Sequence, residues 1–202
     1  PDVAHQRYLA HHRRRPPPAP AWRVGPPVRP PQSGFGRQAG TIARRQIRLT
    51  LADTGYLVFL AVMPIVLGLL SLVIPGSAGF GPNAPDSAGE TVQVLVVLVI
   101  GASFMGIALT ARDLVGERPI YERERAVGLR PASYLFAKIA VFFVVATLQS
   151  VVMVAITYIG RGVPSAGVLL PGWFELFITI AVLACVSTLI GLTISSLVRS
   201  NE

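Results

Sequence analysis

Apolar residues gather into four long runs: 55–74 (GYLVFLAVMPIVLGLLSLVI), 91–111 (TVQVLVVLVIGASFMGIALTA), Tyr134 to Ile159, and Trp173 to Val198. Each is about 20 residues or more, enough to cross a hydrocarbon core roughly 30 Å thick as a helix. A spanning segment must satisfy its own backbone polar groups, so these runs predict helices. The valine-rich start of the second run resembles a buried strand, but its length favours a helix. Pro64 predicts a kink in the first span, and Pro75 with Gly76 predicts its end. Ala102, Gly106 and Thr110 recur every four residues in the second span; Ser187, Gly191 and Ser195 do so in the fourth. Such small-residue stripes let helices approach closely.

Residues 36–54 follow a different pattern. At 100° per residue, Arg44, Arg45 and Arg48 share one face, and Ala39, Ile42, Ala43 and Ile47 share the other. This predicts an amphipathic connecting helix in the membrane interface, its arginines meeting lipid phosphates. A generic basic juxtamembrane segment is the other reading. Residues 1–35 (HHRRRPPPAP, then WRVGPPVRPPQSG) lack apolar periodicity and predict a disordered Pro/Arg-rich cytoplasmic linker. Its Arg13, Arg14 and Arg15 read either as an anionic-lipid tether or as a solvated tail. Interleaved aromatics are missing there, which argues against nucleic acid as a partner.

Composition agrees with the runs. The chain is 52% hydrophobic and only 14% charged over 202 residues, against about a quarter charged in soluble domains. The net charge of +8 is an N-terminal property: residues 1–50 hold ten Arg and one Asp, the rest eight basic and nine acidic residues. The single cysteine, Cys185, lies in an apolar run and reads as filler. A chain beginning at Pro1 and stopping at Glu202, shortly after a span, reads as part of a longer protein.

The loops are asymmetric in charge. The segments 75–90 and 160–171 together carry one basic residue, Arg161. Arg44, Arg45, Arg48, the cluster from Arg112 to Lys138, and Arg199 lie on the other side. The cationic side faces the cytoplasm, so the N-terminus is predicted inside a plasma (inner) membrane crossed several times. Lys138, near the cytoplasmic end of the third span, is expected to snorkel to the headgroups. Tyr56 and Tyr134 fall near the inner interface, and Tyr158, Trp173 and Phe174 near the outer one.

The loop 112–133 has internal order. Pro119 suits a first helical position, Glu122 and Glu124 sit near the positive end of the helix dipole, and Gly128 suits a C-cap. A short surface helix of about two turns is predicted over 117–127. Glu117, Arg118, Tyr121, Arg123, Glu124, Arg125, Gly128, Tyr134 and Lys138 form a pattern of acidic-Arg pair, aromatic, Arg-Glu-Arg, Gly and Tyr-x-x-x-Lys leading into a span. This resembles the first intracellular loop of ABC type-2 exporter permeases, most of all the G-subfamily (ABCG/White-like) in its bacterial form. Leu129 and Arg130 stand where many members carry a tyrosine. The resemblance covers residues 36–202. It implies a coupling helix resting on a nucleotide-binding domain, through Glu117, Arg118, Tyr121, Arg123, Glu124 and Arg125. It also implies six spans, of which four are present, and a homodimer.

The chemistry expected within the chain is sparse. Walker A, H-E-x-x-H, Cys/His cluster and nucleophile-elbow patterns are missing, and all three histidines lie in the first twelve residues. No catalytic residue, metal site or cofactor is therefore assigned to this chain; ATP and Mg are expected on a partner domain, fused upstream. Gln149, in mid-span, faces a substrate cavity or bonds a neighbouring helix. Glu175 opens the fourth span as a solvated helix-start carboxylate or a gate. The reading is an all-α integral membrane protein, with four transmembrane helices of an expected six behind an amphipathic interfacial helix. Its function would be that of an ABC exporter permease for a lipid-like or amphiphilic substrate. A non-transporting membrane scaffold with an Arg-rich recruiting tail explains the N-terminus equally well, but gives no reason for alternating charges over 117–127.

The predicted topology is checked with a membrane-impermeant thiol reagent in a Cys185→Ala background. Asn83→Cys should label in intact cells, and Glu122→Cys only after permeabilisation; the reverse pattern overturns the orientation.

Overall fold

The computed structural model describes residues 34–76, 79–81, 88–111, 131–164 and 167–197. Residues 1–33 of the linker expected over 1–35, and residues 112–130 of the loop expected over 112–133 with its expected helix over 117–127, lie outside the described residues, whereas residues 35 and 131–133 are helical. Five helices are described: α1 (Phe35–Ala52), α2 (Thr54–Val73), α3 (Ala88–Ala111), α4 (Pro131–Arg161) and α5 (Gly172–Leu197). The last four are each long and apolar enough to cross a membrane. The protein is an all-helical integral membrane protein.

One residue, Asp53, separates α1 from α2. Its N–H closes α1 on Leu49 O, and its Oδ1 accepts from Tyr56 N at 3.0 Å, capping α2. A carboxylate at a helix start satisfies one of the orphan N–H groups there. The next boundaries extend past the apolar runs. α3 begins at Ala88 and takes in Glu90; α4 begins at Pro131 and ends at Arg161. Glu90 and Arg161 are thus helical residues, not the loop residues that the runs suggested.

α4 is the central element and packs against each of the other four helices. Its buried residues Phe142, Ala146, Met153 and Val154 join Leu60, Leu98, Ala102, Met105, Ile180 and Ala184 in one core. Along α2 the buried positions Leu60, Pro64, Gly68 and Ser71 form a single stripe, and the helix continues through Pro64. The interval of three to four residues is that of one helix face. Outward-facing Val58, Val62, Val66, Leu69 and Val73 are exposed. In water such a face would be an aggregation hazard, whereas lipid tails solvate it.

α1 turns a narrow face towards the bundle. Ala39 and Gln46 are its buried residues, whereas Ile47 is 47% exposed. Positions 39 and 46 differ by 20° around the helix, while Ile47 is turned 80° from Ala39. The face that meets α4 is therefore small and polar, which permits close approach, and the larger apolar side chains Ile47, Leu49 and Leu51 point outward. Phe35 packs on Phe136 with ring centroids 5.9 Å apart, fixing α1 beside the first turns of α4.

The two small-residue stripes meet. A Cβ on Gly106 would lie 2.4 Å from Ala184 O and 2.9 Å from Thr188 N, and one on Gly191 would lie 2.1 Å from Thr110 Oγ1. These glycines let α3 and α5 touch backbone to side chain, which compensates for the weak drive to helix association in lipid. Gly106→Ala should accordingly destabilise the bundle by about 1–3 kcal/mol, the usual range for overpacking. Gly40→Ala, on α1 with open space around it, should stay within about 0.5 kcal/mol or stabilise slightly. Thermal unfolding of both variants in nanodiscs compares them.

Candidate functional site

The densest polar cluster in the described residues lies where α2 ends, α3 begins and α4 ends. The last four carbonyls of a helix have no donor within it. At the end of α2 these fall next to Arg161, the last residue of α4. Arg161 Nε donates to Ser71 O (3.2 Å), and Nη2 donates to Leu72 O (2.9 Å) and to Ile74 O. Nη1 donates to Gly76 O (2.7 Å) and to Glu90 Oε1 (2.9 Å). A planar guanidinium with five forked donors suits such a set, and a cation is also favoured at a helix C-terminus.

Glu90 completes the cluster from the first turn of α3. Its Oε1 also accepts from Gly79 N at 2.9 Å, and Thr91 Oγ1 donates to Gly79 O at 2.7 Å. The carboxylate crowds Gly76, where a Cβ would lie 2.1 Å from Glu90 Oε2; Gly76 has φ 128°, a conformation that favours glycine. Phe80 N donates to Arg161 O at 2.8 Å, and the Phe80 ring is buried in the core. The two charged side chains are 5% and 10% exposed. Three helix ends and one loop turn are thus tied to a single buried ion pair.

This corrects the picture of Arg161 as a lone charge in an outer loop. Its burial follows from α4 running two residues beyond the apolar run, which turns the side chain back over the end of α2. A signal was present in the sequence: a lone Arg beside one span and an acid immediately before another are a pair that low dielectric brings together.

The other sequence-derived candidates are dispersed. Gln149, expected to face a cavity or bond a neighbouring helix, lies inside the bundle, and its Nε2 donates to Leu60 O at 2.9 Å. Glu175, in the first turn of α5, accepts through Oε2 from Val168 N (2.7 Å) and Leu169 N (3.3 Å), drawing the preceding loop over the helix start. Arg44 and Arg48 are exposed on α1 and Arg45 is half-buried. Lys138 does not snorkel: it is 0% exposed, with Nζ 5.3 Å from the centre of the Tyr134 ring. α1 lies against this part of α4, and a cation over an aromatic face is stabilised by the ring quadrupole. Glu117, Arg118, Tyr121, Arg123, Glu124 and Arg125 lie outside the described residues. Among the described residues no group of three or more His, Cys, Asp or Glu is placed to hold a metal ion.

A buried ion pair responds asymmetrically to substitution. Arg161→Met removes the charge partner of the Glu90 carboxylate and the donor that Ser71 O, Leu72 O, Ile74 O and Gly76 O share, and should cost about 3–5 kcal/mol. Glu90→Gln keeps an acceptor for Gly79 N and should cost less. Unfolding midpoints of the two variants rank them; equal losses would contradict the carbonyl-capping role of Arg161.

Comparison with known proteins adds what geometry alone does not. Residues 37–202 match the family described as ABC-2 type transporter. The whole chain aligns at 46% identity with the ABC transporter ATP-binding/permease protein Rv1747 of Mycobacterium tuberculosis. The chain spans about a quarter (24%) of that relative's length. No solved structure matches it. The family match runs over all four apolar helices, α4 central among them, and identifies the chain as a member of the ABC-2 type transporter membrane family.

Proposed function

We propose that this chain is the membrane-spanning permease part of an ATP-driven exporter, resembling the G-subfamily in its bacterial form. The observation that carries the reading is the alignment of the whole chain with a relative whose name joins ATP-binding and permease components. The nucleotide-binding domain, with ATP and Mg, would lie upstream on the same polypeptide, and residues 1–35 would link it to α1. Two copies would pair around a cavity that opens alternately to either side of the plasma membrane. The N-terminus would be cytoplasmic. The apolar outer walls of the bundle suit a lipid-like or amphiphilic substrate.

The fold supports a mechanical route for this coupling. Residues 112–130 join α3 directly to α4, so a displacement of that segment reaches both helices. α3 is locked to α5 through Gly106 and Gly191, and α4 touches every other helix. A push would therefore move packed helices rather than dissipate in a loop. Glu117, Glu122 and Glu124 beside Arg118, Arg123 and Arg125 offer both charge signs to a domain interface, where complementarity sets register. α1 lies across the same end of α4, and its exposed Arg44 and Arg48, with Arg45, suit lipid phosphates.

The coupling role is tested in the protein carrying its nucleotide-binding domain. Glu124→Ala and Glu117→Arg should leave expression unchanged and uncouple ATP hydrolysis from transport in vesicles. Normal transport with normal hydrolysis in both variants would reject the role, since surface charges alone cost within about 0.5 kcal/mol.

A further inference from the structure

We propose that Gln149 is a positioning residue for α2, its side-chain amide replacing the backbone N–H that Pro64 lacks. In an α-helix each carbonyl accepts from the N–H four residues later. Proline has no N–H, so Leu60 O is the carbonyl that Pro64 deprives of its donor. Yet α2 runs unbroken from Thr54 to Val73 with Pro64 inside it. The missing donor comes from α4: Gln149 Nε2 lies 2.9 Å from that same Leu60 O.

The surroundings make this contact specific. Leu60, Pro64 and Gln149 are all buried, Gln149 being 6% exposed. All three lie well inside their helices, where no water competes for a carbonyl. The hydroxyls beside it on α4 donate within their own helix: Thr147 to Phe143 O and Ser150 to Ala146 O. Gln149 instead reaches across to α2, and of the α2 carbonyls it meets the one orphaned by the proline. Its Oε1 is buried without a hydrogen-bond partner. An unsatisfied buried oxygen is unfavourable, and leucine would avoid it, so the donor nitrogen is what accounts for a glutamine here.

The next turn of α2 fixes the register. At Gly68 a Cβ would lie 3.0 Å from Ile156 Cβ and 3.1 Å from Met153 O, so α2 and α4 are nearly in backbone contact there. One hydrogen bond at Leu60 and one close approach at Gly68 bracket Pro64 on the same partner helix. The two halves of α2 are thereby held together across Pro64 by α4. This concerns the helices of this chain and does not rest on the transport reading.

The test is a double-mutant cycle on the full chain in nanodiscs. Pro64→Ala supplies the amide at position 64, so Leu60 O regains an intrahelical donor. Gln149→Leu should lower the unfolding midpoint by about 2–4 °C in the Pro64 background and have no effect in the Pro64→Ala background. The carbonyl carbon resonance of Leu60, one of four Leu-Ala pairs selected by 13C-leucine and 15N-alanine labelling and assigned by its loss in Ala61→Gly, should shift in Gln149→Leu and return in the double variant. A midpoint loss that persists in the Pro64→Ala background, or a Leu60 resonance that does not move, overturns the proposal. If Gln149→Leu alone fails to accumulate, recovery of folded protein by adding Pro64→Ala supports it and continued failure overturns it.

Discussion

Backbone carbonyls that no helix can satisfy govern this bundle. In a hydrocarbon surround an unpaired carbonyl has no water to turn to. The end of α2 presents several such groups, and one side chain from another helix, Arg161, answers for two of them, Ser71 O and Leu72 O, and for Ile74 O and Gly76 O just beyond, while Glu90 balances its charge. The arrangement sets where α2, α3 and α4 stand relative to one another at that end. It also draws residues 79–81 inward, because Phe80 N and Gly79 N need the same two side chains' surroundings for their own bonds.

The rest of the packing is consistent with a scarce hydrophobic drive. Among lipid tails, apolar side chains gain little from meeting each other, so association depends on close fit and on polar contacts. Both are found between the same helices. α3 and α5 fit through Gly106 and Gly191, and α2 and α4 fit through Gly68 while Ser71 Oγ meets Thr157 Oγ1 at 2.9 Å. At the opposite end of the bundle from Arg161, Tyr56 OH donates to Leu109 O at 2.6 Å and joins the start of α2 to the end of α3. Hydroxyls that find no interhelical partner return to the carbonyl four residues back, as Thr188 does to Ala184 O.

The helix at the centre of this packing is α4. The helix emerges at Pro131 directly after the charged segment 112–130, carries Lys138 and Phe136 beneath α1, meets α2 at mid-length and closes on the Arg161 cluster. A single helix therefore runs from one end of the bundle to the other, in touch with every neighbour.

Hydropathy by itself determined that four helices cross a membrane and that a fifth, amphipathic one precedes them. Twenty-residue apolar runs have no other stable form in lipid, and small residues four apart already marked the α3 and α5 faces that meet. The charge and aromatic pattern of 112–138 likewise pointed to the family before any fold was known. Tertiary structure decided the rest. Helix ends extend past apolar runs when polar residues find partners, so Glu90 and Arg161 became buried helical residues rather than loop charges. Lys138 looked like a snorkelling cation because sequence does not say how deeply its neighbours bury a helix end, and here they bury it fully. The turn of α1 that buries Gln46 and exposes Ile47 likewise depends on the surface of α4 it meets, which local periodicity cannot encode.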